Sequence, residues 1–420
     1  MDTVQKLFRF LDESPTCYHA VANAKAALTA AGAVELRESE QWKLEKGTLY
    51  VVERGDSALV AFRVPEGPFH GFLMAASHSD SPTFKVRETA EAASAGNTLR
   101  LSVEPYGGGV WRGWLDRPLS VAGRVMIRQG DRLVSRLVNI DRDLLVIPGV
   151  AIHMDRSVNK GAELNPAVDL LPLLGCGKEP GAFRKLIAEA AGVREEHLLS
   201  TELFLYPRTK AVQTGLNGEF IVSPRLDDLQ CAFAAFRGFT AGKKEKHICV
   251  YALFDNEEVG SATNQGAGAT FLKNTLTRIS RSLGYSYDET QAMIARSFMI
   301  SADNGHALHP NHGEYADPVN APRLNEGIVI KFNAQQKYAT DGFSAAFFRD
   351  LCRRAKVPTQ TFTNRSDIPG GSTLGNISNT KVSMPTVDIG LPQLAMHSSY
   401  ETAGTKDTAY LVTACTAFFE

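Results

Sequence analysis

The stretch Ile248-Cys249-Val250-Tyr251-Ala252-Leu253-Phe254-Asp255-Asn256-Glu257-Glu258-Val259-Gly260 decides how the rest of the chain is read. Its first seven residues are all apolar. A run of that kind suits a strand buried on both faces, as in a parallel sheet. It ends in Asp255, Glu257 and Glu258. Neighbouring carboxylates at the mouth of an apolar strand repel one another and are costly to desolvate unless a cation holds them. Ligands of open α/β sheets bind at the carboxyl ends of the strands. Two readings of these acids are open at this point. One glutamate ligates a metal while its neighbour works on a metal-bound water, or the segment is a solvated turn.

Outward from this stretch the same pattern recurs. Phe72-Leu73-Met74-Ala75-Ala76-Ser77 runs into His78 and Asp80, and Phe298-Met299-Ile300-Ser301-Ala302 ends at Asp303. Val387-Asp388-Ile389 leads to Leu394-Ala395-Met396-His397. Pro224-Arg225-Leu226-Asp227-Asp228 reads as a loop feeding a helix, which places both aspartates at a positive helix N-terminus. Helical periodicity also covers Asp2 to about Ala31, with a break at Ser14-Pro15, and Ala269 to Leu283.

From Lys85 to Val222 the chain changes style, to short alternating segments and tight turns. Val121–Arg128 and Leu133–Val138 flank Gln129-Gly130-Asp131 as a hairpin, and Ala182–Ala191 is an amphipathic helix. Gly107-Gly108-Gly109 has no following helix and no Lys-Ser/Thr partner, so it reads as a turn and not a phosphate loop. The expectation is an α/β protein: a three-layer α/β/α catalytic domain from residues 1–84 and 223–420, with a β-rich dimerisation, oligomerisation or lid domain inserted at 85–222.

Composition bounds the function. The chain has 420 residues, 44% hydrophobic and 22% charged, with a formal net charge of -1. No global field draws it to nucleic acid or to an anionic membrane, and no window approaches the roughly 20 apolar residues of a membrane span. Met1-Asp2-Thr3-Val4-Gln5-Lys6 lacks the basic-then-apolar pattern of a signal peptide. The six cysteines are scattered without a Cys-x-x-Cys pair, which fits a reducing cytoplasmic setting and excludes a thiolate zinc site. Any metal is then left to histidine and carboxylate. Two divalent ions about 3.5–4 Å apart need a bridging carboxylate and further His or carboxylate ligands, and together they lower the pKa of a water to near 7. Such ligation suits zinc, with cobalt or manganese as substitutes.

Six motifs occur in order: His78-Ser79-Asp80-Ser81-Pro82, Ser223-Pro224-Arg225-Leu226-Asp227-Asp228, Asp255-Asn256-Glu257-Glu258-Val259-Gly260, Ser301-Ala302-Asp303, Asp367-Ile368-Pro369-Gly370-Gly371-Ser372-Thr373 and Gln393-Leu394-Ala395-Met396-His397-Ser398. Together they resemble the aspartyl aminopeptidase family of di-zinc metallopeptidases, from Ser14-Pro15-Thr16 almost to the C-terminus. The resemblance implies two zinc ions per subunit with Asp227 as the bridging ligand. His78 and Asp303 would complete one site, and Glu258 and His397 the other. Glu257 would be the general base, and Asp80 would orient His78. Relatives commonly have Asp-Asn where this chain has Asp227-Asp228, which makes Asp228 a rival for the bridge.

The resemblance further implies peptide substrates with N-terminal Asp or Glu. Lys331 in Lys331-Phe332-Asn333-Ala334-Gln335-Gln336-Lys337-Tyr338 would pair with the substrate carboxylate, beside Tyr338. It also implies active-site roles for His153, in Ala151-Ile152-His153-Met154, and for His309, and assembly into a homo-oligomer, a dodecamer. The rival functions are a broad-specificity aminopeptidase or an N-acyl amino acid deacylase on the same scaffold, a glycosidase using Glu257 with a second carboxylate, and a silent binding protein. Ser77, Ser79 and Ser372 lack a Gly-x-Ser-x-Gly elbow, which disfavours a serine hydrolase.

Overall fold

In the computed structural model, which describes residues 2–177, 181–243 and 245–420, the chain divides into two units. The first comprises the chain up to Asp80, Ala211–Met396 and Glu401–Glu420, and the second comprises Ser81–Lys210 and His397–Tyr400. The first unit begins with α1 (Thr3–Glu13), α2 (Cys17–Ala30), β1 (Val34–Leu36), β2 (Leu49–Arg54), β3 (Ala58–Arg63) and β4 (Phe72–His78). The second holds β5 (Thr83–Ser94), β6 (Thr98–Tyr106), β7 (Leu119–Gln129), β8 (Arg132–Asn139), β9 (Leu173–Cys176), α3 (Ala182–Ala190) and β10 (Leu198–Pro207).

The first unit resumes with β11 (Val212–Thr214), β12 (Phe220–Ser223), α4 (Leu226–Ala241), β13 (Ile248–Phe254), α5 (Phe271–Ser282) and α6 (Tyr287–Ala295). It continues through β14 (Phe298–Ala302), β15 (Gly305–His306), β16 (Ile328–Phe332), α7 (Gly342–Arg354) and β17 (Thr359–Thr363). It closes with α8 (Leu374–Asn379), β18 (Thr386–Gly390), β19 (Pro392–Leu394), β20 (Glu401–Gly404) and α9 (Asp407–Phe419).

The central sheet of the first unit is mixed, in the order β1-β2-β3-β13-β4-β14-β18-β16-β17. Successive side chains on a strand point to opposite faces, and here both faces are apolar. Leu73, Ala75, Tyr251, Leu253 and Ile300 pack with Phe239, Phe348 and Phe418 of α4, α7 and α9. Phe72, Met74, Val250, Ala252 and Met299 pack with Phe271, Met293 and Leu374 of α5, α6 and α8. Each buried Val, Leu, Ile, Phe or Met among them contributes about 1.5–3 kcal/mol by leaving water. The result is the expected three-layer α/β/α arrangement.

Strand register decides where the functional ends meet. β13 and β4 are parallel, from Ile248 opposite Phe72 to Phe254 opposite His78. β14 runs parallel to β4, with Ser301 opposite Ala76. His78, Asp255 to Glu258 and Asp303 therefore emerge together at the carboxyl ends of three adjacent central strands. A smaller sheet, β11-β12-β20-β19-β15, belongs to the same unit.

The second unit is built on an antiparallel sheet in the order β8-β7-β10-β5-β6-β9. The expected hairpin is present, with Gln129 opposite Arg132 and Gly130 at φ 61, a left-handed position that glycine adopts freely. Its core includes Phe84, Trp114, Val121 and Leu203. Among the described residues, no helix is long and apolar enough to cross a membrane.

One local expectation is corrected. Asp227 (φ -80, ψ 114) and Asp228 (φ -112, ψ 16) are not helical, although α4 begins at Leu226, and the peptide bond between them is cis. The two aspartates therefore do not serve as first-turn charges of a regular helix. Their side chains have other partners.

Candidate metal centre

His78 ends β4 and is 1% exposed. Its Nδ1 lies 3.1 Å from the backbone oxygen of Asp80 and 3.3 Å from Asp80 Oδ1. A carbonyl oxygen only accepts, so Nδ1 carries the proton and Nε2 is the nitrogen with a lone pair to offer. Nε2 is 3.5 Å from Asp227 Oδ1 and 4.0 Å from Asp303 Oδ1. One potential ligand atom from each of His78, Asp227, Asp228 and Asp303 lies within 4.8 Å of the others, and all four residues are buried. A carboxylate oxygen of Glu258 lies within 4.8 Å of one of Asp227.

The two adjacent aspartates differ in what they face. Asp228 Oδ2 accepts the backbone N–H of His78 at 3.1 Å, and Oδ1 accepts that of Asn304 at 3.3 Å. It thus ties together the ends of β4 and β14. Asp227 turns Oδ1 toward His78 Nε2, while its own N–H donates to the buried Glu401 at 3.0 Å. Asp80 serves a parallel purpose at β13: its Oδ1 and Oδ2 accept the backbone N–H groups of Glu257 and Glu258, each at 3.2 Å.

These anions share a largely buried site. Burial pushes the Glu257 carboxyl up to about 8, opposed by His78 and reinforced by Asp303, Asp80 and Asp227. Burial likewise pushes Asp303 up to about 6, opposed by Lys331 and reinforced by Asp227. At His78 burial disfavours the imidazolium, but Asp228, Asp227, Asp80 and Glu257 outweigh it and raise the pKa well above the ordinary histidine value. The cluster calls for positive charge. A donor set of carboxylates and one imidazole, without thiolate, fits zinc.

Lys331, on β16, is 3% exposed. Its Nζ donates to the Asn304 backbone oxygen at 2.8 Å and lies 3.7 Å from Asp303 Oδ2. Burial works against its charge, but Asp303, Tyr338, Asp388 and Asp227 outweigh it and hold the pKa above the usual lysine value. Tyr338 is buried, with Lys331 Nζ 5.6 Å from its ring centroid. His309 lies outside this buried group; its ring contacts His312, and its Nδ1 accepts from Asn311 N–H.

His153 and His397 belong to the second unit. His153 is exposed. His397 has φ 66, and its Nδ1 donates to the backbone oxygen of Gly108 at 2.9 Å, which puts the ring lone pair on Nε2. The Gly107-Gly108-Gly109 turn thus orients this histidine. Sequence reading gave that role to no residue. It also missed Glu401, the paired amides held by Asp228, and Asn304, whose Nδ2 donates to Gln230 and Gln393 at 2.9 and 2.7 Å. Nothing in the periodicity marks a polar side chain that serves backbone amides far away in the chain.

The family model for aminopeptidase I zinc metalloproteases (M18) matches residues 10–419. This chain belongs to the M18 family. Within it, the chain is 44% identical over 419 residues to a probable M18 family aminopeptidase 2 of Clostridium acetobutylicum, covering 98% of this chain and 97% of that one. Among solved structures, Ape4 in its complex with Nbr1 superposes with a TM-score of 0.96 at 36% identity, over 99% of this chain and 85% of that one. The mApe1 dodecamer of S. cerevisiae gives 0.87 at 26% identity, over 100% and 96%. The M18 chain is accordingly a zinc metallo-aminopeptidase acting on peptides.

Proposed function

We propose that this M18 enzyme removes N-terminal aspartate or glutamate from peptides at a two-zinc centre. The single observation that carries the reading is the buried convergence of His78, Asp227 and Asp303, with the Lys331 ammonium 3.7 Å from Asp303. Asp227 would be the carboxylate shared by the two ions, because Asp228 already gives both oxygens to backbone amides. His78 and Asp303 would hold one ion. Glu258 and, on the family motif, His397 would hold the other. Zinc bound there supplies Lewis acidity toward the scissile carbonyl and lowers the pKa of a water to near 7. Cobalt or manganese can replace it in the same donor set.

The chain's own residues do the rest. Glu257 is the general base: it takes the proton of the attacking water and returns it to the leaving amine. Its pKa, raised by burial, suits a group that must both accept and release a proton near neutral pH. Asp80 fixes its backbone. Lys331 receives the substrate's side-chain carboxylate beside its existing bond to Asn304, and a neutral side chain would forgo that ion pair. Tyr338 lines the same recess, and His153 and His309 approach the substrate on the strength of their motifs. The second unit mediates assembly into a homo-oligomer, of which the mApe1 dodecamer is the example.

The test is hydrolysis of aspartyl-, glutamyl-, leucyl- and alanyl-p-nitroanilide before and after chelation and zinc restoration. Turnover of the acidic pair alone, lost on chelation and regained with zinc, is the expected result. Equal turnover of all four would leave the metal centre standing and overturn the acidic preference.

A further inference from the structure

Asp388 lies in the middle of β18 and is fully buried, yet it is no member of the metal-ligand group. Its carboxylate is a junction. Oδ1 accepts the hydroxyl of Thr373 at 2.9 Å, which closes the Gly370-Gly371-Ser372-Thr373 loop at the start of α8. Oδ2 accepts the backbone N–H of Ala339, the residue after Tyr338. The same turn is held again one residue on, where Thr340 Oγ1 accepts the N–H of Asp388 at 2.8 Å. The fit around the carboxylate is close: a Cβ on Gly375 would come within 2.5 Å of Oδ1. In the sheet, Asp388 sits opposite Ser301, two residues before Asp303.

Two segments therefore end on one side chain, the loop carrying Lys331 to Tyr338 and the amide-rich turn at Gly370–Thr373, and its strand pairs with the one delivering Asp303. We infer that Asp388 is a positioning residue for substrate selection, anchoring the Lys331–Tyr338 segment so that ammonium and ring keep their places beside Asp303. This rests on the proposed role of Lys331. Asp388 acts through its neighbours, without touching substrate or metal. A loop tethered at Ala339 and Thr340 cannot drift, and a misplacement of about 1 Å at a recognition group can cost on the order of 10²-fold.

Asp388→Ala, Asp388→Ser and Asp388→Asn separate this from general destabilisation. Asparagine can accept from Ala339 N–H while giving its amide hydrogen to the Thr373 hydroxyl, which also accepts. It should hold the ratio of aspartyl to leucyl kcat/KM near wild type. Alanine should lower that ratio about ten-fold or more, through a raised KM for the aspartyl substrate, with leucyl turnover and zinc content retained. Serine, small and hydroxylic, gives the same reading if the alanine variant does not fold. Equal losses on both substrates, or an unchanged ratio in a folded alanine or serine variant, would overturn the inference. Absence of any acidic preference in the wild-type enzyme would instead overturn the role of Lys331.

Discussion

Asp80 Oδ1 accepts the backbone N–H of Glu257 at 3.2 Å, 177 residues away along the chain. Its second oxygen does the same for Glu258. One carboxylate at the end of β4 therefore sets the backbone from which both a base and a ligand project. Asp80→Asn would turn an amide N–H toward a donor, leaving one of the two unsatisfied. Zinc affinity should fall about 10- to 100-fold, with kcat falling alongside; metal titration and steady-state kinetics check this, and unchanged zinc binding would count against it.

Glu257→Gln keeps the backbone contacts to Asp80 but cannot take a proton. Its kcat should fall about 10²- to 10⁴-fold while two zinc ions per subunit remain bound. A parallel loss of zinc would make Glu257 a ligand and not the base.

Without a cation the acidic cluster opposes its own burial. Asp303 and Glu257 have folded-state pKa values raised to about 6 and about 8. Groups raised in this way bind more protons folded than unfolded, so their contribution is present at low pH and is lost as pH rises through these values. The chelated protein should therefore lose thermal stability from about pH 4, where the unfolded carboxyls begin to ionise, up to about pH 8, and zinc should flatten that slope. Melting curves with chelator and with zinc decide it; parallel slopes would show that the cluster does not hold the metal.

Lys331→Met removes the ammonium and retains much of the bulk. The preference for aspartyl over leucyl substrate should drop about 10²-fold or more, with metal content unchanged. If zinc is lost in step, Lys331 serves as counter-ion to Asp303 and not as the selector.

His19 carries a pH dependence of the opposite sign. Burial, then the charge of Arg225, lowers its pKa to about 4, while Thr16 Oγ1 lies 2.9 Å from its Nδ1. The neutral ring is native, so the unfolded chain takes up a proton first. Stability from this site is full above about pH 6.5 and is lost as pH falls toward 4, by about 3 kcal/mol at most. Denaturant midpoints from pH 7 to pH 4.5 should fall less steeply for His19→Gln than for wild type.

The sequence by itself determined the strands and what stands at their ends. Apolar runs such as Ile248–Phe254 admit one environment, the inside of a covered sheet, and His78, Glu257, Glu258 and Asp303 follow such runs directly. The alternation that marks Val121–Arg128 and Leu133–Val138 likewise dictated a separate antiparallel style for the inserted region. Burial is a local demand on each residue, so local pattern reveals it.

What faces what was settled only by the tertiary structure. Asp227 and Asp228 are neighbours of one type, and the sequence left both open as the bridge. The register of β4 and β14 brings the amides of His78 and Asn304 onto Asp228 and leaves Asp227 directed at the imidazole. Gly108 orients His397, and Asp388 ties two loops together, through contacts that span hundreds of residues or join loops of no periodicity. Hydrogen bonds of this kind depend on direction and on a few tenths of an ångström, and only the folded backbone fixes both.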